Sequence, residues 1–156
     1  MEGTIEQGGL LAVAEQAADG IVITDACGRI RYTNPAFTAM TGYTKEEALG
    51  RMTGFLKSGR HSIGFYQELW GTIQSGRVWH GEVTNRRKDG VFYDEEMRIT
   101  PIRDSKDTIT GYIALKQDVT ARRAREVEQA FLAAIQSRSR HRVFPWGHDR
   151  GVGQGN

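Results

Sequence analysis

The residues best placed to do chemistry in this chain are polar or aromatic groups standing where an apolar side chain is expected. From Trp79 the sequence alternates as in a strand, and Gly81, Val83 and Asn85 share the phase of Trp79. That phase puts the Asn85 amide on the apolar side of a sheet, where an unpartnered amide costs ~1–3 kcal/mol. Asn85 therefore bonds either the polar edge of a planar ligand or the backbone of a neighbouring loop. Trp70 and Trp79 offer ring faces for such a ligand, or they are ordinary core. Trp70 continues a helix stripe of Tyr66, Leu69 and Ile73, which is the mark of core packing. On the returning strand Tyr93 is in phase with Val91, Met97 and Ile99, and Glu95 shares that phase. A carboxylate among apolar neighbours predicts a β-bulge that turns it outward; the other reading is a polar ligand opposite it.

Nothing in the chain resembles a catalytic constellation. There is no Gly-x-Ser-x-Gly, no His-Glu-x-x-His and no phosphate-binding Walker loop. His61, His80, His141 and His148 are scattered, and no two share one element as metal ligands do. The single cysteine, Cys27, excludes an internal disulfide and a four-cysteine metal site. The reading is a non-enzymatic domain without metal.

The elements that must position these residues follow from the pattern. Ile5 to Ala18 reads as a helix, with Leu10, Ala14, Ala17 and Ala18 at helical spacing. Ile21 to Thr24 and Ile30 to Thr33 are short strands around the turn at Ala26-Cys27-Gly28. Asn34-Pro35 starts a helix that Gly42 ends, and Thr44 to Glu47 is a capping box. Met52 to His61 reads as loop, and the stripe from Tyr66 gives a third short helix stopped by Gly76. Trp79 to Arg87, Val91 to Ile102 and Ile109 to Gln117 form an antiparallel meander, its first hairpin turning at Lys88-Asp89-Gly90. Arg86, Arg87 and Lys88 read as a solvated hairpin end. Thr120, Ala124, Val127, Phe131 and Ala134 then mark an exit helix.

The predicted organisation is an N-terminal helical cap over 1–18, a body over 19–119, an exit helix over 120–136 and a disordered tail over 137–156. In the tail, four arginines face one aspartate; the remainder carries seventeen basic and eighteen acidic groups. The overall charge of +2 is thus a property of the tail, and a near-neutral body argues against nucleic acid as partner. No apolar run approaches the ~18–20 residues that span a bilayer, and the acidic, polar start is unlike a secretory signal, so no membrane is implied and the cytoplasm is the expected compartment. Leu10, Ala14 and Ala17 lie outside the body and predict a homodimer through the first helix, with the exit helix as a second candidate surface.

Several segments, in this order, resemble the PAS family: Gly20 to Asp25, Asn34-Pro35-Ala36-Phe37, Thr41-Gly42-Tyr43, Asn85 to Gly90, Ile99 to Ile102 and Asp118-Val119-Thr120. The resemblance covers about Leu10 to Arg123. It implies an α+β fold with about five antiparallel strands and short helices on one face. It also implies a sensor placed before a histidine kinase, diguanylate cyclase or other output. A narrower similarity, through Leu56-Lys57-Ser58-Gly59, Tyr66 to Trp70, Trp79-His80-Gly81, Asn85 to Lys88 and Tyr93, is to the FAD-binding PAS domains of nitrogen-fixation and aerotaxis redox sensors. It implies FAD near Asn85, Trp79, Trp70, Tyr93, Thr53 and Ser58, with Arg60 and His61 as phosphate candidates. A cofactor-free interaction module and a sensor of another small ligand are the alternatives, haem included with His61 as its axial ligand. Gly50 to Leu56 is also similar to light-sensing LOV domains, whose photoreactive cysteine falls at Thr53 here; a hydroxyl cannot form the flavin thioether.

Overall fold

A computed structural model describes residues 2–140. The elements are α1 (Glu2–Gln16), β1 (Gly20–Asp25), β2 (Ile30–Thr33), α2 (Pro35–Thr41), α3 (Lys45–Ala48), a 3₁₀ turn (Thr53–Leu56), α4 (Ile63–Gln74), β3 (Trp79–Arg86), β4 (Phe92–Arg103), β5 (Ile109–Asp118) and α5 (Thr120–Arg140). Among the described residues the strands form one antiparallel sheet of five in the order β2-β1-β5-β4-β3. The body up to Thr120 and the segment from Ala121 are separate compact units.

Local sequence explains most of the boundaries. Asn34 caps α2 by accepting from the Phe37 amide, Pro35 occupies the first turn, and Gly42 ends the helix in the left-handed conformation (φ 80°). Thr44 and Glu47 make the reciprocal capping box of α3. The inner face of the sheet packs on α4 through Leu69, Ile73, Trp79, Val83, Met97, Ile99 and Tyr112. A second cluster, Val22, Ile30, Phe37, Ala48 and Leu56, fills the space under α2, α3 and the 3₁₀ turn.

Asn34 does more than cap. Its Oδ1 also accepts from the Ile21 amide at 2.8 Å, while Nδ2 donates to the carbonyls of Ala14 and Asp19 at 2.9 Å each. One buried amide thus ties the end of α1 to β1 and α2. The last turn of α1 is further held by the Tyr32 hydroxyl, which donates to Glu15. Leu10, Leu11 and Val13 remain exposed.

Three sequence expectations are corrected. The exit helix runs to Arg140 rather than stopping at 136, so the expected tail starts at least four residues late; the disorder expected beyond it concerns residues outside those described. Glu95 is not turned out by a bulge. The pairing of β3 with β4 is unbroken from Trp79 to Arg86, and β4 pairs β5 regularly until Ile102, so Glu95 keeps its inward phase. Arg87 is not a solvated hairpin residue: it is half-buried, donates to the Met40 carbonyl and pairs with Asp118 at 2.6 Å.

Candidate functional site

Between the inner face of the sheet, α4 and the 3₁₀ turn lies a cavity of about 90 Å³. Its walls are chiefly apolar, with Val22, Leu56, Leu69, Val83, Met97 and Ile99 among them. Asn85, Lys116, Thr24, Thr53 and Tyr66 interrupt that lining with polar groups.

The polar wall is organised by a carboxylate. Glu95 is fully buried (0% exposed), and its Oε1 accepts from Asn85 Nδ2 at 2.8 Å and from Lys116 Nζ at 2.9 Å. The Tyr93 hydroxyl donates to Oε2 at 3.3 Å. Three donors on one carboxylate satisfy the requirement that a buried charge be paired and hydrogen-bonded. Burial, and then the Glu95 charge beside it, pushes the Tyr93 hydroxyl far above its ordinary range, which keeps it a neutral donor. The Asn85 Nδ2 thus donates to a buried carboxylate on the neighbouring strand rather than to a loop backbone.

From Tyr93 the contacts continue to the start of α5. The Arg87 guanidinium lies over the Tyr93 ring at 4.4 Å. Arg87 pairs with Asp118, whose Oδ1 accepts from the Thr120 amide at 3.0 Å. Burial alone would raise the Asp118 carboxyl; the Arg87 and Thr120 hydrogen bonds outweigh it and hold the group below the usual carboxylate range. The Thr120 hydroxyl accepts from the Asp94 amide and the Val119 amide donates to the Asp94 carbonyl, so β4 and the first residue of α5 are locked together.

Of the residues expected at the site, Asn85, Trp70 and Thr53 line the cavity. Trp70 stands edge-on to Tyr112 at 5.9 Å and its ring lies on Gly28, where a Cβ would approach within 2.6 Å. The glycine in the β1–β2 turn is thus needed both for its φ of 92° and for the space it leaves this ring. Trp79, Tyr93, Ser58, Arg60 and His61 are not among the cavity's walls. Trp79 is core, packed edge-to-face on Phe65 and lying over Gly81. Tyr93 sits behind the wall, on Glu95.

Ser58 and His61 serve the edge of the sheet. The Ser58 hydroxyl donates to the Thr84 carbonyl at 2.6 Å, and His61 Nε2 accepts from the Thr84 amide at 2.8 Å. Backbone groups on the open side of an edge strand need such partners. His61 also stacks on Phe65 at 4.2 Å, so the one histidine expected to ligate a haem is spent on β3. Arg60 lies over Phe92 at 4.5 Å.

Sequence reasoning missed Lys116 and the inward role of Glu95. A signal existed: Lys116 shares the phase of Tyr112 and Ala114 on β5, as Glu95 shares that of Met97 on the adjacent β4. Opposite charges in the buried phase of neighbouring strands predict an ion pair. The helix stripe reads Tyr66 as core, yet its hydroxyl is buried at the cavity and has no hydrogen-bond partner among the described residues.

A family model described as the PAS fold matches residues 10–119. The chain belongs to the PAS family. The PAS domain is 34% identical over 108 residues to a nitrogen fixation regulatory protein of Klebsiella oxytoca, an alignment covering 69% of this chain and 22% of that protein. It is 28% identical over 121 residues to the aerotaxis receptor of Escherichia coli strain K12, covering 77% of this chain and 24% of the receptor. Among solved structures, an RNA-binding light-oxygen-voltage receptor superposes with a TM-score of 0.75 at 28% identity, over 89% of this chain and 40% of that one. The chain therefore spans only 22 to 24% of the length of these two curated relatives. The PAS domain is a sensory and signalling module, as its relatives among regulators and receptors are. Among the described residues no helix is long and apolar enough to cross a membrane.

Proposed function

We propose that this PAS domain binds FAD through its cavity and reports redox state to an output domain or partner. The observation that carries the reading is a chiefly apolar cavity lined by an amide, an ammonium and a tyrosine hydroxyl that has no partner among the described residues. A flavin ring has that mixed character, an apolar body with one edge of donors and acceptors. The relatives include a nitrogen fixation regulatory protein and an aerotaxis receptor, and the motifs from Leu56 to Tyr93 point the same way.

The residues present fit such a ring in chemistry. Asn85 and Lys116 would meet its polar edge, Tyr66 would gain a partner, Trp70 would pack on its face, and Lys57, an exposed residue of the cavity wall, would offer a cation toward the phosphates. Size adds a condition. A cavity of about 90 Å³ is smaller than the ~150 Å³ that takes up benzene, so the ring enters only as wall side chains yield, Trp70 being the largest. When bound, flavin supplies reversible electron transfer; the chain's residues bind it and register its state. Thr53 at the cavity wall carries a hydroxyl, and Cys27 is exposed in the β1–β2 turn, so cysteinyl-adduct photochemistry is not part of the proposal.

The small cavity also favours a second reading, a cofactor-free module that dimerises or binds a partner protein. One spectrum separates the two: protein purified without added ligand shows flavin absorption and releases FAD on denaturation, or neither it nor apo-protein titrated with FAD shows any binding. The proposed output is a histidine kinase or a comparable signalling domain, since one relative is a hybrid signal transduction histidine kinase of Dictyostelium discoideum. The proposed homodimer uses α1 around Leu10 and Ala14, with Ala17 just past its end; sedimentation of the full chain at monomer mass would refute it.

A further inference from the structure

The buried ion pair at the polar wall does more than hold β4 to β5. We propose that Lys116 is the residue that reads charge on the ligand. Its ammonium moves from Glu95 to the ligand's edge when that edge becomes negative, so the cavity favours the anionic form of a planar ligand. The inference rests on the flavin reading above and names the residue that would sense the state of the ring.

Three observations support it. Lys116 lines the cavity, and its side chain is only 5% exposed, so a charge placed opposite it is felt with little screening by water. An ammonium has three donors, of which Glu95 takes one at 2.9 Å. Glu95 keeps the Asn85 and Tyr93 hydrogen bonds when Lys116 turns away, so the carboxylate is not stranded by the exchange. The exchange also has an outlet. A Glu95 that has lost its ammonium draws harder on Tyr93, whose ring underlies Arg87, the partner of Asp118 at the entry to α5.

For flavin the negative form is the reduced one. Two electrons and one proton add to the oxidised ring and leave it with a single negative charge. In the assay dithionite supplies the electrons and water the proton. The midpoint potential reads the ratio of affinities for the two forms, and charge near the ring is what tunes it.

The test compares the midpoint potential of FAD bound to the full chain at pH 7 in wild type, Lys116→Gln and Glu95→Gln. Loss of the ammonium is expected to weaken the preference for the reduced form at least tenfold, a drop of about 30 mV for a two-electron couple. Glu95→Gln removes the competing carboxylate, and its potential is expected to rise. Shifts of opposite sign from two residues of one pair are not what a merely structural role produces. A potential unchanged in Lys116→Gln, or shifts in the same direction, overturn the proposal while leaving the flavin reading intact. Wild type that takes up no FAD overturns both. If Lys116→Gln does not fold, the double variant with Glu95→Gln holds no buried charge and is compared with Glu95→Gln alone: a potential at least 30 mV lower supports the role of Lys116, and equal potentials overturn it.

Discussion

Replacing Lys116 with methionine in the ligand-free protein tests whether the Glu95 pair is the polar keystone of the fold. The two charges are 2.9 Å apart with side chains 5% and 0% exposed. At an effective dielectric of 20 their attraction is about 6 kcal/mol, which offsets the cost of taking both out of water. Removing one partner from such a pair costs about 3–5 kcal/mol. Asn85 and Tyr93 still donate to Glu95 after the change, which places the expected loss near the lower figure, about 3 kcal/mol. For a domain of this size that lowers the melting temperature by roughly 10–15 °C. Glu95→Gln added to Lys116→Met removes the stranded charge, and the double variant is expected to recover more than half of the loss. The assay is urea unfolding of wild type, both single variants and the double, giving the coupling energy directly. A loss under about 1 kcal/mol in Lys116→Met, or a double variant no more stable than the single, refutes the reasoning that the pair is a desolvated unit.

Asn34→Ala strips the cap of α2 and leaves the buried Ile21 amide without its partner, for an expected loss of about 2–4 kcal/mol in urea melts; Asn34→Asp keeps the acceptor and should lose less than the alanine variant. Asn85→Leu removes a hydrogen bond to a buried carboxylate, so ligand-free protein should lose about 1.5–3 kcal/mol, and its affinity for FAD should fall roughly 2- to 13-fold; a variant as stable as wild type would show that Glu95 does not depend on this amide. Asp118 has its carboxyl lowered in the fold, so its contribution is complete above the unfolded value near 3.9 and is lost as pH falls through the lower folded value. Stability measured from pH 6 to pH 2 should therefore fall less steeply in Asp118→Asn than in wild type, and parallel curves would refute the assignment.

Much of this architecture is determined by local sequence. Asn34-Pro35 and Gly42 bound α2, the Thr44–Glu47 box starts α3, and Lys88 to Gly90 turns the β3–β4 hairpin, because caps and tight turns are satisfied by residues a few positions apart. The period-two phase of β3 likewise put Asn85 on the buried side. The exit helix shows the limit of such signals: its apolar spacing faded after Ala134, yet the helix continues to Arg140, since arginine, glutamine and serine offer no stop before the next turn is formed.

What tertiary structure decided is who faces whom. Periodicity places Glu95 inward but cannot show that Lys116, twenty-one residues later, arrives beside it from the adjacent strand. Without that partner a buried carboxylate is too costly to accept, and a bulge was the rational expectation. The same holds for Ser58 and His61, which looked like ligand contacts until β3 proved to be an edge strand with Thr84 needing both a donor and an acceptor. Side-chain type and spacing determine which polar groups are buried; only the packing of elements distant in sequence decides whether each finds a partner, as Glu95 does in Lys116, or has none among the described residues, as the Tyr66 hydroxyl.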